Sequence, residues 1–389
     1  MRRRRGAAGL GTALLVTVPL VGGAVDSVRA RRCPRPELPP GVVVGHATMR
    51  YTRDCLPFVR TPAKYTRRLD GFPYKSRFAR VDGLRMAYVD EGPRDGQVIL
   101  LLHGEPSWSY LYRKMIPILA AGGFRVIAAD LIGMGRSDKP VEFARYRYLQ
   151  HVAWVEKFLD VVPRARRRGA PPGLQDITLF CQDWGSLIGL RVVGDMPDRF
   201  ARVVVANGRL PVVPIELELV HLPDPPLLDP DLPFPTSFNT CAPGDLSCFQ
   251  QWATYALTSP HLKPSDVVEL ATATTITAAE KAAYDAPYPE LIYMTGPRVF
   301  PSLINTLGES PTNAAARAVL DRFTKPVLTL FGRLDRTLGS DEIQAEMRDR
   351  VPGAMGQPHH AYPDASHFIQ EDKGEDLARR VVDFINANP

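Results

Sequence analysis

The segment Ile177–Val193, ITLFCQDWGSLIGLRVV, predicts a buried strand, a sharp turn and a helix. Ile177–Phe180 is a short run of β-branched and aromatic residues, which is typical of a central parallel strand. From Ser186 onward the apolar residues recur at helical spacing. Between the strand and the helix lies a single carboxylate, Asp183.

The turn has the layout of a nucleophile elbow, in which a strained strand-to-helix turn holds one side chain above the sheet. Cys181, Gly185 and Ser186 are the small neighbours that such a turn needs. The exposed residue is usually serine, whereas Asp183, with an ordinary pKa of about 3.9, is ionised at neutral pH without a base. This indicates attack on an alkyl carbon rather than on a carbonyl. The alternative is that Asp183 only caps the helix.

Length and charge limit the class of protein. A chain of 389 residues can contain one large α/β domain with an insertion, or two domains. The net charge of +6 is modest, and Arg2–Arg5 contribute much of it. Other basic runs, such as Arg164–Arg168, lack interleaved aromatic residues, so we predict no nucleic-acid partner.

The first thirty residues have the layout of a secretory signal peptide. Arg2–Arg5 precede a mostly apolar run, Leu10–Val25, and small residues stand one and three positions before a cleavage site after Ala30. We therefore predict export, with an uncleaved membrane anchor as the alternative. Pro19, Gly22 and Gly23 within the run weaken that alternative.

The five cysteines also favour an oxidising compartment. Cys33 and Cys55 bracket a Pro-rich extension, residues 31–57, and Cys241 and Cys248 bracket a short loop. We predict a disulfide within each pair and an unpaired Cys181.

The remaining segments alternate strands and helices, which predicts an α/β fold with a mostly parallel sheet and helices on both faces. The predicted strands are Arg85–Asp90, Val98–Leu102, Phe124–Ala129, Val203–Ala206 and Val327–Phe331, and the predicted core helices are Leu111–Ala121, Tyr148–Val161 and Asp376–Ile385.

An insertion interrupts this alternation. Nine prolines between Leu210 and Pro243 predict an ordered loop that leaves the core. Helical patterns follow at Phe249–Ala256, Ser265–Ala271 and Ala278–Tyr284. We predict a helical cap over residues 210–305, covering the elbow and lying between core segments 58–209 and 306–389.

Three candidate catalytic residues stand at strand ends in the order Asp183, Asp335 and His367. This is the chain order of nucleophile, acid and base in α/β-hydrolases. The loop that begins at His103 follows another buried strand, where backbone amides can converge on an oxyanion, and we expect His103 itself to shape that loop. The glycines of Asp130–Asp138 lack a following Lys-Ser/Thr, so we predict no nucleotide site there.

From about Phe58 to the C-terminus the chain resembles the haloalkane dehalogenases. The residues that show this are His103–Arg113 (HGEPSWSYLYR), Asp130–Pro140, Cys181–Ser186 (CQDWGS), Phe249–Asp266, Gly332–Gly339 (GRLDRTLG) and His367–Glu371. The resemblance implies an α/β-hydrolase fold with a cap and an Asp-His-Asp triad. It also implies halide binding by Trp184 and Trp252, and an oxyanion hole formed by the backbone N–H groups of Glu105 and Trp184.

The implied reaction converts a small haloalkane and water to an alcohol, a halide and a proton, with no metal or organic cofactor. An indole N–H on a large apolar body suits a departing halide, since it donates a hydrogen bond while excluding water.

We predict a monomer without a membrane partner, unless the leader is uncleaved. The leader and residues 31–57 have no counterpart in the family, and Ser186 stands where glycine is common. The Pro-rich stretch before Cys241 is longer than usual for the family, so substrate size is the property that the resemblance predicts least well.

Two other functions are compatible with parts of this pattern. An epoxide hydrolase would use the same Asp and His together with acidic cap hydroxyls, for which Tyr255, Tyr284, Tyr288 and Tyr293 are available. The second alternative is a secreted binding protein built on an inactive hydrolase scaffold, because fold does not fix function. Such a protein would be expected to have lost part of the triad, and this chain retains all of it.

Overall fold

A computed structural model of the protein describes residues 33–39, 41–163, 173–211, 227–236, 246–309 and 312–389. The predicted leader and much of the Pro-rich segment after Leu210 therefore lie outside the described residues. Among the described helices, none is long and apolar enough to cross a membrane.

Two sheets are present. The small antiparallel sheet consists of β1 (Arg50–Tyr51), β2 (Pro57–Val59) and β7 (Lys139–Pro140). The main sheet consists of β3 (Arg77–Val81), β4 (Leu84–Glu91), β5 (Val98–Leu102), β6 (Arg125–Ala129), β8 (Ile177–Gln182), β9 (Phe200–Ala206), β10 (Val327–Gly332) and β11 (His360–Tyr362). Its order is β11-β10-β9-β8-β5-β6-β4-β3. Within it β4 pairs antiparallel with both β3 and β6, and the other strand pairs are parallel, so the predicted mostly parallel α/β fold is confirmed.

The central strands are buried on both faces, because helices cover the sheet on each side. In β5, Leu100 and Leu102 pack into one apolar cluster, whereas Ile99 and Leu101 pack into the other. This alternation is the two-residue period of a strand. Since the parallel strands end at one edge, the residues that follow them are brought together there.

The α-helices are α1 (Ile116–Ala121), α2 (Tyr148–Val161), α3 (Trp184–Asp195), α4 (Leu246–Thr258), α5 (Pro264–Leu270), α6 (Ala278–Asp285), α7 (Thr295–Val299), α8 (Thr312–Leu320), α9 (Asp341–Arg348) and α10 (Ile369–Ala387). Short 3-10 helices span Ser109–Tyr112, Phe143–Arg145, Pro197–Arg199, Leu291–Met294, Phe300–Glu309 and Pro352–Ala354.

Two predicted helices differ from those observed. Leu111–Ala121 is not continuous, since a 3-10 turn precedes α1 and Pro117 lies in the first turn of α1, where a missing backbone N–H costs nothing. The closing helix begins earlier than predicted, at Ile369, and bends at Lys373, whose φ of −135° is not helical.

The described part of the N-terminal extension, residues 33–39 and 41–57, packs against the cap. Val42 lies in one apolar cluster with Trp252 and Tyr255 of α4. The backbone N–H of His46 donates to the Glu290 carboxylate at 3.1 Å. The extension is therefore part of the packed structure. The cap boundaries at residues 210 and 305 stay predictions.

The cysteines are arranged largely as predicted. Cys33 and Cys55 form a disulfide, with an S–S distance of 2.04 Å, which confirms that pairing. Cys181 is a free, buried thiol. Cys248 is disulfide-bonded, and its predicted partner, Cys241, lies outside the described residues.

Candidate active site

Asp183 occupies a strained turn between β8 and α3. Its φ of 52° and ψ of −132° lie in a region that residues with a Cβ rarely adopt. Gly185 permits the close approach of β5, because a Cβ at this position would lie 2.1 Å from the carbonyl oxygen of Leu102. The backbone N–H of Asp183 donates to the carbonyl of Asn207 at 3.0 Å, which ties the turn to the end of β9. This geometry is that of a nucleophile elbow.

Two backbone amides converge on the Asp183 carboxylate. The N–H of Glu105 donates to Oδ1 at 2.8 Å, and the N–H of Trp184 also donates to this carboxylate. Gly104 makes room for it, since a Cβ at residue 104 would lie 2.1 Å from Oδ1. The loop after β5 thus supplies one donor and the elbow supplies the other, and their role as an oxyanion hole stays a prediction.

His367 lies between two carboxylates. Its Nδ1 is 2.9 Å from Oδ2 of Asp335, and its Nε2 is 3.6 Å from Oδ2 of Asp183. All three side chains are buried or nearly so. The structure therefore brings together the three residues that the sequence places at distant strand ends.

Burial and charge set the protonation of this trio. Burial lowers the pKa of His367, but the charge and hydrogen bond of Asp335, together with Asp183, outweigh it and raise that pKa to about 9. Burial raises the pKa of Asp183, against the effect of His367 and the two amides. For Asp335, burial is outweighed by His367 and by hydrogen bonds, so its pKa is lowered. Asp335 is therefore ionised, and it orients an imidazole with its proton on Nδ1.

Asn207 is a site residue that the sequence analysis did not identify. Its amide nitrogen donates to Oδ2 of Asp335 at 2.8 Å and to the carbonyl of Gly332 at 3.1 Å. Its carbonyl oxygen accepts the N–H of Gly332 at 2.7 Å. Asn207 directly follows β9, as Asp183 follows β8, so its position at the carboxyl edge of the sheet was the available signal.

Gln182, the last residue of β8, was also missed. Its amide nitrogen lies 3.1 Å from Nε2 of His367 and 3.1 Å from the carbonyl oxygen of the same residue. The side chain is fully buried. A polar residue at the end of an otherwise apolar strand was the sequence signal in this case.

A buried ion-pair network supports the loop that contains His367. Arg113 donates to both oxygens of Glu371, which lies four residues after the histidine, and to Glu280 of α6. The hydroxyl of Tyr284 donates to the same Glu371. This network connects the core, the histidine loop and the cap.

The two predicted halide-binding tryptophans are both buried, each 5% exposed. Trp184 packs edge-on against Phe300, with ring centroids 5.6 Å apart. None of the hydrogen bonds between described residues uses its indole nitrogen. Trp252 stacks on Tyr255 within the cluster formed by the cap and the extension, with centroids 6.5 Å apart. The halide-binding role of both residues stays a prediction.

The loop after β5 contains two further buried side chains. His103 bonds the carbonyl of Gly104 through Nδ1 at 2.8 Å and accepts the N–H of Leu131 through Nε2 at 2.9 Å, which confirms its predicted part in shaping the loop. Burial and the nearby Asp183 raise the pKa of the Glu105 carboxyl well above its usual value of 4.5. The surroundings of Glu105 therefore favour its neutral form.

Comparison with known proteins agrees with this geometry. Residues 97–374 match the family model of the alpha/beta hydrolase fold, which defines the class of protein. A haloalkane dehalogenase of Mycobacterium marinum is 42% identical over 334 residues, covering 84% of this chain and 99% of the relative. A haloalkane dehalogenase of Psychrobacter cryohalolentis is 40% identical over 340 residues, covering 85% and 99%. The chain therefore belongs to the haloalkane dehalogenase family.

Solved structures show the same relationship. A tetrameric structure of the haloalkane dehalogenase DpaA from Paraglaciecola agarilytica NO2 superposes with a TM-score of 0.65 at 28% identity, covering 83% of this chain and 97% of that chain. The haloalkane dehalogenase DbeA from Bradyrhizobium elkani USDA94 gives a TM-score of 0.59 at 22% identity, covering 80% and 98%, which shows a common fold.

Proposed function

We propose that the protein hydrolyses small haloalkanes through a covalent ester on Asp183. The observation that best supports this is the double contact of the Asp183 carboxylate, which accepts the N–H of Glu105 on one oxygen and faces Nε2 of His367 with the other. A carboxylate held in this way is an ionised nucleophile with its base already in place.

In the first step an oxygen of Asp183 attacks the carbon that bears the halogen. The carbon–halogen bond breaks and the halide leaves with the bonding electrons. The indole N–H groups of Trp184 and Trp252 stabilise the charge that develops on the halide in the transition state.

In the second step Nε2 of His367 takes a proton from a water molecule, which attacks the carbonyl carbon of the Asp183 ester. The N–H groups of Glu105 and Trp184 stabilise the oxyanion, because they already hold the carboxylate oxygen in the free enzyme. The ester then cleaves, and the alcohol and a proton leave. The carboxylate retains one oxygen from water.

Formation of the ester also prepares the base. The negative charge of Asp183 is among the effects that raise the pKa of His367. Alkylation removes that charge, so the pKa of the imidazole falls when the base is needed. Asp335 keeps its charge throughout and holds the imidazole in place.

The test is halide release from 1,2-dibromoethane and 1-bromobutane by three proteins. The wild type should turn over, Asp183→Asn should release no halide, and His367→Phe should release one halide per enzyme and then stop. The stalled protein should be heavier by the alkyl group. Normal turnover by His367→Phe would rule out the histidine as base. Single turnover of the wild type in ¹⁸O-water should place the label on Asp183.

The contacts of the cap tyrosines give no support to an epoxide hydrolase. The hydroxyl of Tyr284 is bound to Glu371, and that of Tyr288 accepts the backbone N–H of Gly135 at 3.0 Å. Tyr293 lines a surface cleft. Hydrolysis of styrene oxide by a protein that releases no halide would nevertheless favour the epoxide reaction.

We also propose that the protein is exported, cleaved after Ala30 and monomeric. The basic and apolar layout of the leader supports export, and the Cys33–Cys55 disulfide favours an oxidising compartment. N-terminal sequencing of the mature protein would test the cleavage site. Light scattering would test the monomer, and a tetramer like that of DpaA would overturn it.

A further inference from the structure

A second cleft lies apart from the triad, between the N-terminal extension and the core. Its volume is about 1130 Å³ and its lining residues include none of Asp183, Asp335 or His367. Seven lysine and arginine side chains line it. Arg136 is ion-paired with Asp130, and we call the cleft the cationic cleft after the other six: Arg50, Arg60, Arg67, Arg68, Lys75 and Arg85. Among its lining residues only Asp70 is acidic.

The floor of the cationic cleft contains more positive than negative charge. Arg60 donates two hydrogen bonds to Asp138, at 2.6 and 2.8 Å. Arg85 lies near the same carboxylate, which is fully buried. The Nε of Arg85 is 3.7 Å from Oδ1 of Asp138, beyond hydrogen-bonding distance. The Nε of Arg85 is buried and has no hydrogen-bond partner among the described residues. Burial, and to a lesser degree the nearby Arg60, lower the pKa of Arg85 to about 10.

The rim has basic side chains without ion-pair partners. Arg67, Arg68 and Lys75 are exposed, and no ion pair joins them to the described part of the chain. Arg68 has a φ of 57°, a conformation that a non-glycine residue keeps only when its surroundings hold it. Positive charges on a concave surface focus the electrostatic potential and attract anions.

The high proportion of arginine in the cationic cleft indicates which class of anion it binds. Five of the six residues are arginines, whose planar fork of donors matches phosphate oxygens in pairs. The guanidinium of Arg85 lies over the ring of Phe78, with 4.2 Å from its carbon to the centroid, which fixes the fork. An adjoining cleft of about 620 Å³ shares Arg50 and Arg60 and adds two arginines and two aspartates, so the basic lining extends past the first cleft with part of its charge offset.

We propose that the cationic cleft binds two or more phosphate groups held close together, either on one soluble molecule or on neighbouring lipids of a bilayer. Phosphates bound at the floor satisfy Arg60 and Arg85, and further phosphates reach the rim. The source of these groups is either a soluble oligophosphate or the headgroup of an anionic phospholipid. This proposal is independent of the reaction at Asp183.

Isothermal titration calorimetry with sodium tripolyphosphate tests the soluble source, and co-sedimentation with phosphatidylcholine vesicles with and without phosphatidic acid tests the lipid source. Arg67→Gln with Lys75→Gln should weaken binding at least about tenfold, as expected when two charged contacts are lost. Added salt should weaken it as well. Arg85→Lys keeps the charge and removes the fork, so it should also weaken binding.

The matched control is Arg322→Gln with Arg379→Gln, which removes two exposed positive charges outside the cationic cleft. It should bind as the wild type does, and circular dichroism should show that every variant is folded. Binding of tripolyphosphate or of phosphatidic acid that depends on Arg67 and Lys75 would support the proposal and identify the source. No binding of either probe, or an equal loss in the control, would overturn it.

Discussion

The amide nitrogen of Gln182 lies 3.1 Å from Nε2 of His367 and 3.1 Å from the carbonyl oxygen of the same histidine. The carbonyl oxygen of His367 can only accept a hydrogen bond, so the nitrogen of the Gln182 amide, and not its oxygen, must face the histidine. One amide hydrogen is directed at this carbonyl oxygen. The second hydrogen is therefore directed at Nε2. This contact fits only the neutral imidazole without a proton on Nε2, the form that acts as the base, and it is lost when His367 is protonated below its pKa of about 9.

Gln182 should consequently oppose the two carboxylates that raise the pKa of His367. We expect Gln182→Leu to move the acidic limb of the kcat profile to higher pH, by about one pH unit, because a donor to the neutral base is lost. Gln182→Glu should move it further. The control is Gln344→Leu, which removes another buried glutamine, one that bonds Thr329 and His360 instead. A limb that stays in place in both Gln182 variants would show that this residue only packs.

Asp183→Asn should make the protein more stable at neutral pH. The pKa of Asp183 is raised in the folded state, so folding favours the protonated form and the ionised form costs stability. In the unfolded chain the Asp183 carboxyl ionises near its ordinary pKa of 3.8. As the pH rises from there through the raised pKa of the folded state, the wild type loses stability relative to the variant. We expect a gain of about 0.5–2 kcal/mol at neutral pH. Thermal unfolding across pH measures it, and a gain that grew in acid would contradict the sign.

Glu105→Gln should alter the alkaline side of the pH profile. Burial and Asp183 keep this carboxyl neutral at ordinary pH, and its ionisation would place a second negative charge beside the nucleophile. That charge would disfavour both the leaving halide and the oxyanion. If this ionisation limits the wild type, kcat/KM should decline at alkaline pH in the wild type and decline less in the variant. Glu375→Gln, at an exposed position, is the control, and an unchanged alkaline limb in Glu105→Gln would assign the decline to another group.

Arg113→Met should destabilise the protein strongly, because it leaves the fully buried Glu371 without its main partner. Removing one member of a buried ion pair costs about 3–5 kcal/mol, although Lys114, 3.0 Å from Glu371, compensates for part of it. Glu280→Gln removes the more exposed partner of the same arginine and should cost less than about 1 kcal/mol. Urea unfolding of the two variants compares them. Equal losses would show that Glu371 is not the residue that depends on Arg113.

The sequence predicted the elements and residues whose signals are local. Asp183, Asp335 and His367 each follow a recognisable strand or stand in a recognisable loop, and the parallel sheet then brings strand ends together. The contacts of Gln182 and Asn207 depend on how neighbouring strands are aligned, and the network of Arg113 joins residues 258 positions apart. No periodicity in the chain encodes such alignments. The break before α1 was missed for a different reason, since the apolar spacing continues across it.

The docking of the extension has a consequence for how the chain is made. His46 leaves the ribosome 244 residues before Glu290, the residue it binds, and at about 5–20 residues per second this delay is about 10–50 s. Throughout that interval Val42 has no cap helix to cover it. The Cys33–Cys55 disulfide needs only residues of the extension, so it can close before any docking occurs. The extension can thus be oxidised before it packs against the cap.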